Sequence, residues 1–421
     1  MKNRWLIALA AVGIHICIGS AYSWSVFSKP LQAAFGWSLK EANLTFGIAI
    51  FFLGMSAAVM GHYVERNGPR KAGMLAAIFW GLGLIGAGLA TKIGNLWLLW
   101  LSYGVIGGIG LGTGYVTPVS TLVKWFPDRR GLATGMAIMG FGFASMIAAP
   151  IMAKLIEALG VSTTFFIMGS AYLVIMMSSA RYLEPPPKDW KPAGWDGSMA
   201  NKNVKADLSN VTANEAVRTK PFYGLWIMMF INITCGIAII SVASPLAQEV
   251  TGISALAAGA IVGLVGVFNG LGRIGWATAS DYLGRPNTYI IFFAFQIVAF
   301  YFLPSLSAAL IFQVVLYAIM TCYGGGFATL PAYIGDLFGT KQISAIHGYV
   351  LTAWAMAGVV GSGLASFLRE QTGSYAAMMQ VFAAIFAVAL VVSIAMKIYV
   401  ARAHAARQRP DRDQLATEKA V

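Results

Sequence analysis

About twelve apolar runs, each long enough to cross a bilayer as one helix, follow one another along this chain. That succession excludes an ordinary soluble domain, and the runs are too long for the alternating strands of a membrane barrel. An apolar fraction of 58% and a mean hydropathy of +0.71 agree. The expected fold is all-α and integral to the membrane. The first six spans lie near residues 5–33, 43–62, 72–91, 95–122, 132–156 and 161–183, and the second six near 222–248, 255–279, 288–304, 307–334, 344–367 and 376–400. Residues 184–220, beginning E-P-P-P-K-D-W-K-P, are polar and rich in proline, glycine and charge, as a linker is. The implied units are an N-terminal half, 1–183, the linker, 184–220, a C-terminal half, 221–400, and a basic tail, 401–421.

Charge placement gives the orientation. On one side of the membrane the loops hold Lys29, Lys40, Lys92, Lys154 and Arg369; apart from Arg273, all other lysines and arginines fall on the side of both termini. The positive-inside rule makes both termini and the linker cytoplasmic in a multi-pass protein of a bacterial inner membrane. The net charge of +13 is therefore topological, and nucleic acid is not an expected partner. Cys17, Cys235 and Cys322 each sit inside an apolar run without motif spacing, so neither a disulfide framework nor a metal site is expected. No cofactor is expected, and no G-x-x-x-x-G-K-[ST] offers direct nucleotide drive. The first run is longer than a signal-peptide core and should remain in the mature protein.

One apolar run, residues 256–280, carries a charge. Arg273 stands eight residues before Asp281, about 12 Å inside a core roughly 30 Å thick. An arginine at that depth costs on the order of 3 kcal/mol on insertion scales, and such residues usually face a water-filled cavity on a substrate path. The plainer alternative is a structural arginine that snorkels or meets a helix end. Against it, no Asp or Glu lies in the central part of any other run. A lone buried cation wants an anion from outside, and a planar fork of donors suits a carboxylate.

The two halves repeat each other. The stretch after span two, Gly61 to Lys71, has a counterpart at Ala277 to Arg285 after span eight. The stretch from Gly114-Tyr115-Val116-Thr117 to Trp125-Phe126 returns 212 residues on as Gly326-Phe327-Ala328-Thr329 to Leu337-Phe338. Duplicated halves place a binding site at mid-membrane between them. Tyr323 and Phe327 are four apart and share one face of span ten, so they can wall a pocket together. Asn269, one turn before Arg273, is placed to donate to the same anion or to bridge helices. Glycines at 107–114, 140, 142 and 324–326 permit close helix packing and bending.

The loop after span two resembles the signature of the major facilitator superfamily, an acidic-basic loop with glycines, here Gly61, Glu65, Arg66, Gly68, Arg70 and Lys71. Pro69 displaces the two bases by one residue. Asp281, Gly284 and Arg285 form a weaker second copy. In such loops acids and bases can pair across helix ends and latch one state of a transporter. Ala21 to Trp24, Lys124 to Gly135 and Phe268 to Arg273 further resemble the bacterial oxalate/formate antiporters and, more distantly, the monocarboxylate carriers. The resemblance implies that Arg273 holds substrate carboxylate and that Tyr22, Tyr115, Tyr323 and Phe327 line the cavity.

Two departures narrow the expectation. The oxalate carriers place a second buried cation in span eleven, where Trp354 stands here. A dianion would leave one charge unpaired in a low dielectric, so a monoanion such as lactate, pyruvate, acetate or formate is expected. The animal carriers place Asp at the position of Asn269, which cannot titrate, and a lysine at the position of Val26, with Lys29 one turn nearer the outside. Proton symport still suits a monoanion, because the pair moves no net charge against the membrane potential. Besides the substrate, His15 and His347 are the candidates to carry that proton. No paired buried acids, metal-spaced histidines or Ser-His-Asp set point to an enzyme. The expectation is a proton-coupled carrier of small monocarboxylates, working as a monomer in the lipid bilayer; oxalate-for-formate exchange and nutrient sensing are the rivals.

Overall fold

The computed structural model describes residues 2–187, 190–193, 195 and 207–418, which are helices and their connections with no strand among the described residues. Nine of the described helices are long and apolar enough to cross a membrane, and two of these, Lys40–Lys92 and Arg130–Tyr182, run for 53 residues. Each bends back at a glycine of positive φ, Gly68 (80°) and Gly160 (80°), and so supplies two spans. Only glycine takes that backbone without strain. At the first turn Pro69 follows at once, where its missing N–H costs nothing at a helix start. Gly284 (φ 82°) and Pro286 repeat the device between Ala255–Leu283 and Arg285–Phe302. With Ala255–Leu283 as span eight, the crossings among the described residues number twelve, in two six-helix halves.

The described N-terminal residues, from Lys2, and the Lys397–His404 stretch of the last helix lie at one end of the bundle, called here the terminal face. Lys2 pairs with Glu184 at 3.0 Å and Arg4 with Asp128 at 2.8 Å, tying the first residues to the loop after span four and the start of the linker. At the opposite end Arg369 pairs with Glu249 at 2.9 Å within the C-terminal half. The extension of span one away from the terminal face, Ser25–Phe35, packs on helices of its own half, and so does span seven, Lys220–Thr251.

The halves meet where small residues let backbones approach. Span two crosses span eleven at Gly54, whose absent Cβ would lie 2.6 Å from the Leu351 carbonyl, and at Gly61, which abuts Ser344. Span five crosses span eight at Gly131 against Ala277, at Gly135 against the Arg273 backbone, and at Gly142, where a Cβ would lie 2.8 Å from Gly270 Cα. Lipid removes the hydrophobic reward for helix association, so close van der Waals packing of this kind has to supply it. These two crossings carry Arg273 to the middle of the bundle.

Most of the linker, at 188–189, 194 and 196–206, lies outside the described residues. Its described end, from Asp207, lies along the end of span ten. The Leu208 and Val211 N–H groups and the Ser209 hydroxyl donate to the carbonyls of Asp336, Phe338 and Leu337. One helix runs from Tyr375 through Glu418 and takes in residues of the basic tail, with Lys419 to Val421 outside the described residues. An alanine- and arginine-rich composition sustains helix past the bilayer.

Candidate substrate site and gate

Arg273 is fully buried and turned inward between spans five, eight and ten. Its Nε donates to Asn269 Oδ1 at 3.1 Å and its Nη1 to the Ile138 carbonyl at 3.4 Å, while Nη2 has no partner. Gly142 makes the room, since a Cβ there would lie 3.2 Å from Arg273 Cδ and Nε. The guanidinium lies over two rings, 5.1 Å from the centre of Phe327 and 5.6 Å from that of Phe141, a favourable arrangement for a desolvated cation. The sequence places this arginine beside a water-filled cavity. In the structure aromatic rings fill that space, because the two halves are closed on each other at its level, and the side chain is dry.

The structure brings the expected site residues into one cluster. Trp354 stacks edge-on against Phe327 (4.8 Å) and Tyr115 (5.2 Å), and Tyr323 against Phe327 (5.3 Å). Gly236 of span seven leaves space for the Tyr323 ring. The Tyr22 hydroxyl lies beside Tyr323 and Arg273, without a hydrogen bond of ordinary geometry. Asn269 uses its oxygen to orient Arg273. His15 and His347 both pack against the Tyr115 ring, at 5.3 and 5.9 Å. The buried polar tips Tyr22 Oη, Tyr115 Oη, Trp354 Nε1 and Arg273 Nη2 all lack partners. Each of these four can donate to an acceptor-rich ligand, while His15 Nε2 and both ring nitrogens of His347, in the same cluster, are also without partners.

The terminal face is shut by acids reaching across the halves. Asp281, ending span eight, accepts from the N–H groups of Gly131 and Leu132 at 2.9 Å each, at the start of span five. Glu65, ending span two, accepts from the Ser344 N–H at 2.7 Å, at the start of span eleven. Each acid thus neutralises the positive end of a helix in the other half. Arg285 binds Asp281 (2.6 Å), Asp336 (3.0 Å) and Ser280, and Asp336 also holds Arg130 at 3.0 Å. Asp207 of the linker takes Arg130 in a bidentate pair, at 2.5 and 3.1 Å. Glu65 pairs with Lys124 at 2.8 Å, and His62 Nε2 lies 2.7 Å from the Tyr349 hydroxyl across spans two and eleven. The first motif departs from expectation in its bases: Arg66, Arg70 and Lys71 are exposed and make no ion pair among the described residues. The turn at Gly68 and Pro69 points them to solvent, and Lys124 takes their place.

The profile of the Major Facilitator Superfamily matches residues 9–342. The chain belongs to the Major Facilitator Superfamily. It is a transporter and not an enzyme. This superfamily chain is 27% identical over 362 residues to an uncharacterised MFS-type transporter of Escherichia coli (strain K12), YhjX, covering 85% of this chain and 86% of the relative. It is 26% identical over 379 residues to the oxalate:formate antiporter of Oxalobacter formigenes, covering 89% and 87%. Among solved structures, the E. coli fucose:proton symporter FucP superposes with a TM-score of 0.71 at 13% identity, over 93% of this chain and 98% of that one, a likeness of fold alone.

In this superfamily member the sequence reading passes over five residues that the structure brings into the site or gate. Phe141 is the hub of the cluster, touching Tyr22 (5.0 Å), Tyr115 (5.6 Å), Trp354 (5.7 Å) and Arg273. Its signal is faint: a lone aromatic between Gly140 and Gly142. Lys124, Arg130, Asp207 and Asp336 belong to the ion-pair network at the terminal face. Lys124 and Asp336 are themselves a trace of the duplication, standing 212 residues apart with opposite charge.

Proposed function

We propose that this transporter carries small monocarboxylates, L-lactate, pyruvate or a close analogue, across a bacterial inner membrane together with a proton, as a monomer with both termini cytoplasmic. The observation that carries the reading is Arg273 Nη2, a cationic donor buried in a dry cluster with no aspartate or glutamate buried among the described residues. Leaving such a group unpaired is costly, and a substrate carboxylate repays it with two parallel hydrogen bonds. Tyr22, Tyr115 and Trp354 then offer donors to the remaining oxygen of a hydroxy- or oxo-acid, and Phe141 and Phe327 cover its apolar part. Alternating access moves the two halves about this point. The test is uptake of labelled mono- and dicarboxylates into proteoliposomes, with and without a proton gradient. Arg273→Lys replaces the fork by a point charge and should lose at least about tenfold in uptake; near-normal lactate uptake by that variant would sink the assignment.

Anion exchange is the second reading, favoured by the similarity to a protein named as an oxalate:formate antiporter. Uptake that ignores external pH and requires an internal anion would select it.

A further inference from the structure

Two imidazoles in the cluster are left unused by anion binding. His15 is fully buried on span one; its Nδ1 donates to the Ala11 carbonyl at 3.1 Å, which leaves Nε2 a bare lone pair without a partner. His347, 1% exposed at the start of span eleven, has no partner at either ring nitrogen. The Tyr115 ring is in contact with both. His15 lies within electrostatic reach of Arg273, and His347 within reach of His15. His347 is also one helical turn from Ser344, where Glu65 closes the gate. Packing alone does not explain bare imidazole nitrogens in a dry interior, since an apolar side chain would fill the space without the lost hydrogen bonds.

The neighbours do not compete for the role. The titratable and charged groups around the pair are Tyr22, Tyr115, Tyr323 and Arg273 within the cluster, and Glu65, Lys124 and His62 toward the terminal face. Glu65 and Lys124 are spent on each other. Asn269 stands where a titratable acid could have served. Imidazole alone among side chains ordinarily changes charge near neutrality.

We propose that the His15–His347 pair binds the proton that crosses with the anion. This rests on the carboxylate reading of Arg273. With the site empty, an imidazolium beside Arg273 places two like charges in a low dielectric, so the pair stays neutral. A carboxylate on Arg273 offsets one of them, and the proton then adds to a free imidazole lone pair. Linkage makes the effect reciprocal, so the proton strengthens anion binding by the same factor. When the terminal face opens, the same N–H bond breaks and the proton goes to water with the departing anion. No electrons move, and one anion and one proton cross without net charge.

The test is the ratio of protons to anions in proteoliposomes loaded with a trapped pH dye, measured beside counterflow of labelled L-lactate. Wild-type protein should move about one proton per lactate. His15→Gln and His347→Gln should retain a slower counterflow while the ratio falls at least fivefold. Retention of the wild-type ratio in both variants and in their combination overturns the proposal. Wild-type counterflow without proton movement also overturns it while leaving the carboxylate reading intact; absence of counterflow overturns both. A measurement on the unaltered protein covers variants that fail to fold: calorimetry of lactate binding in two buffers of different ionisation enthalpy should show proton uptake on binding, and none would refute the pairing.

Discussion

On the carboxylate reading proposed above, Trp354 stands where a second cation would let the site hold a dianion; its ring lies on Phe327 and Tyr115 with Nε1 unsatisfied. Trp354→Lys should therefore raise the uptake of oxalate relative to lactate by about tenfold or more, the worth of one partly solvated charge pair. An unchanged ratio in a competition assay would remove the charge-counting argument. Phe141→Ala deletes the ring that touches Arg273 and four other members of the cluster. The expected result is a lactate KM raised about tenfold, from a desolvated cation–π contact of up to about 2 kcal/mol, and a KM within twofold of wild type would show that the hub is packing only. Arg273 was legible in the sequence because a charge deep in an apolar run has few explanations. Phe141 was not, since one aromatic among glycines looks like any other lipid-facing or packing residue until the neighbouring spans are in place.

Spans announce themselves by length and hydropathy, and their turns by Gly68-Pro69 and the Gly284–Pro286 repeat. Which glycines lie at a crossing does not follow from glycine content. Gly131 and Gly142 face the other half, whereas Gly263 and Gly275 have open space where a Cβ would go. Gly131→Ala puts a methyl group against the Ala277 carbonyl, a backbone atom that cannot step aside, and should hold spans five and eight apart at the terminal face. In a Thr134→Cys background, a buried position one turn along span five whose hydroxyl meets the Ala328 carbonyl of the other half, the added substitution should raise labelling by an impermeant maleimide from the terminal side about tenfold. Equal labelling rates with and without it would mean that the crossing tolerates the methyl group. The continuation of span twelve to Glu418 was hidden for the opposite reason: hydropathy marks where the bilayer ends, not where the helix does.

At the scale of the whole molecule, duplication was legible from matched stretches, while the conformation was not, since one sequence must serve every state of the cycle. The shut terminal face rests on Asp336, which serves both Arg130 and Arg285. Asp336→Asn leaves two largely buried guanidinium groups short of a counter-charge, so the shut form should lose about 3 kcal/mol. A lower melting temperature in detergent, with faster labelling of Thr134→Cys, is the expected readout, and an unmoved melting curve would assign the closure to helix packing. The caps supplied by Glu65 and Asp281 carry a thermodynamic corollary. When the face parts, the first peptide donors of spans five and eleven and the two carboxylates that served them are all handed to water. Each swap of a protein partner for a solvent one changes the balance by only about 1 kcal/mol. A see-saw with such similar weights on both arms needs little to tip it, and on the proposed reading one small anion supplies the difference.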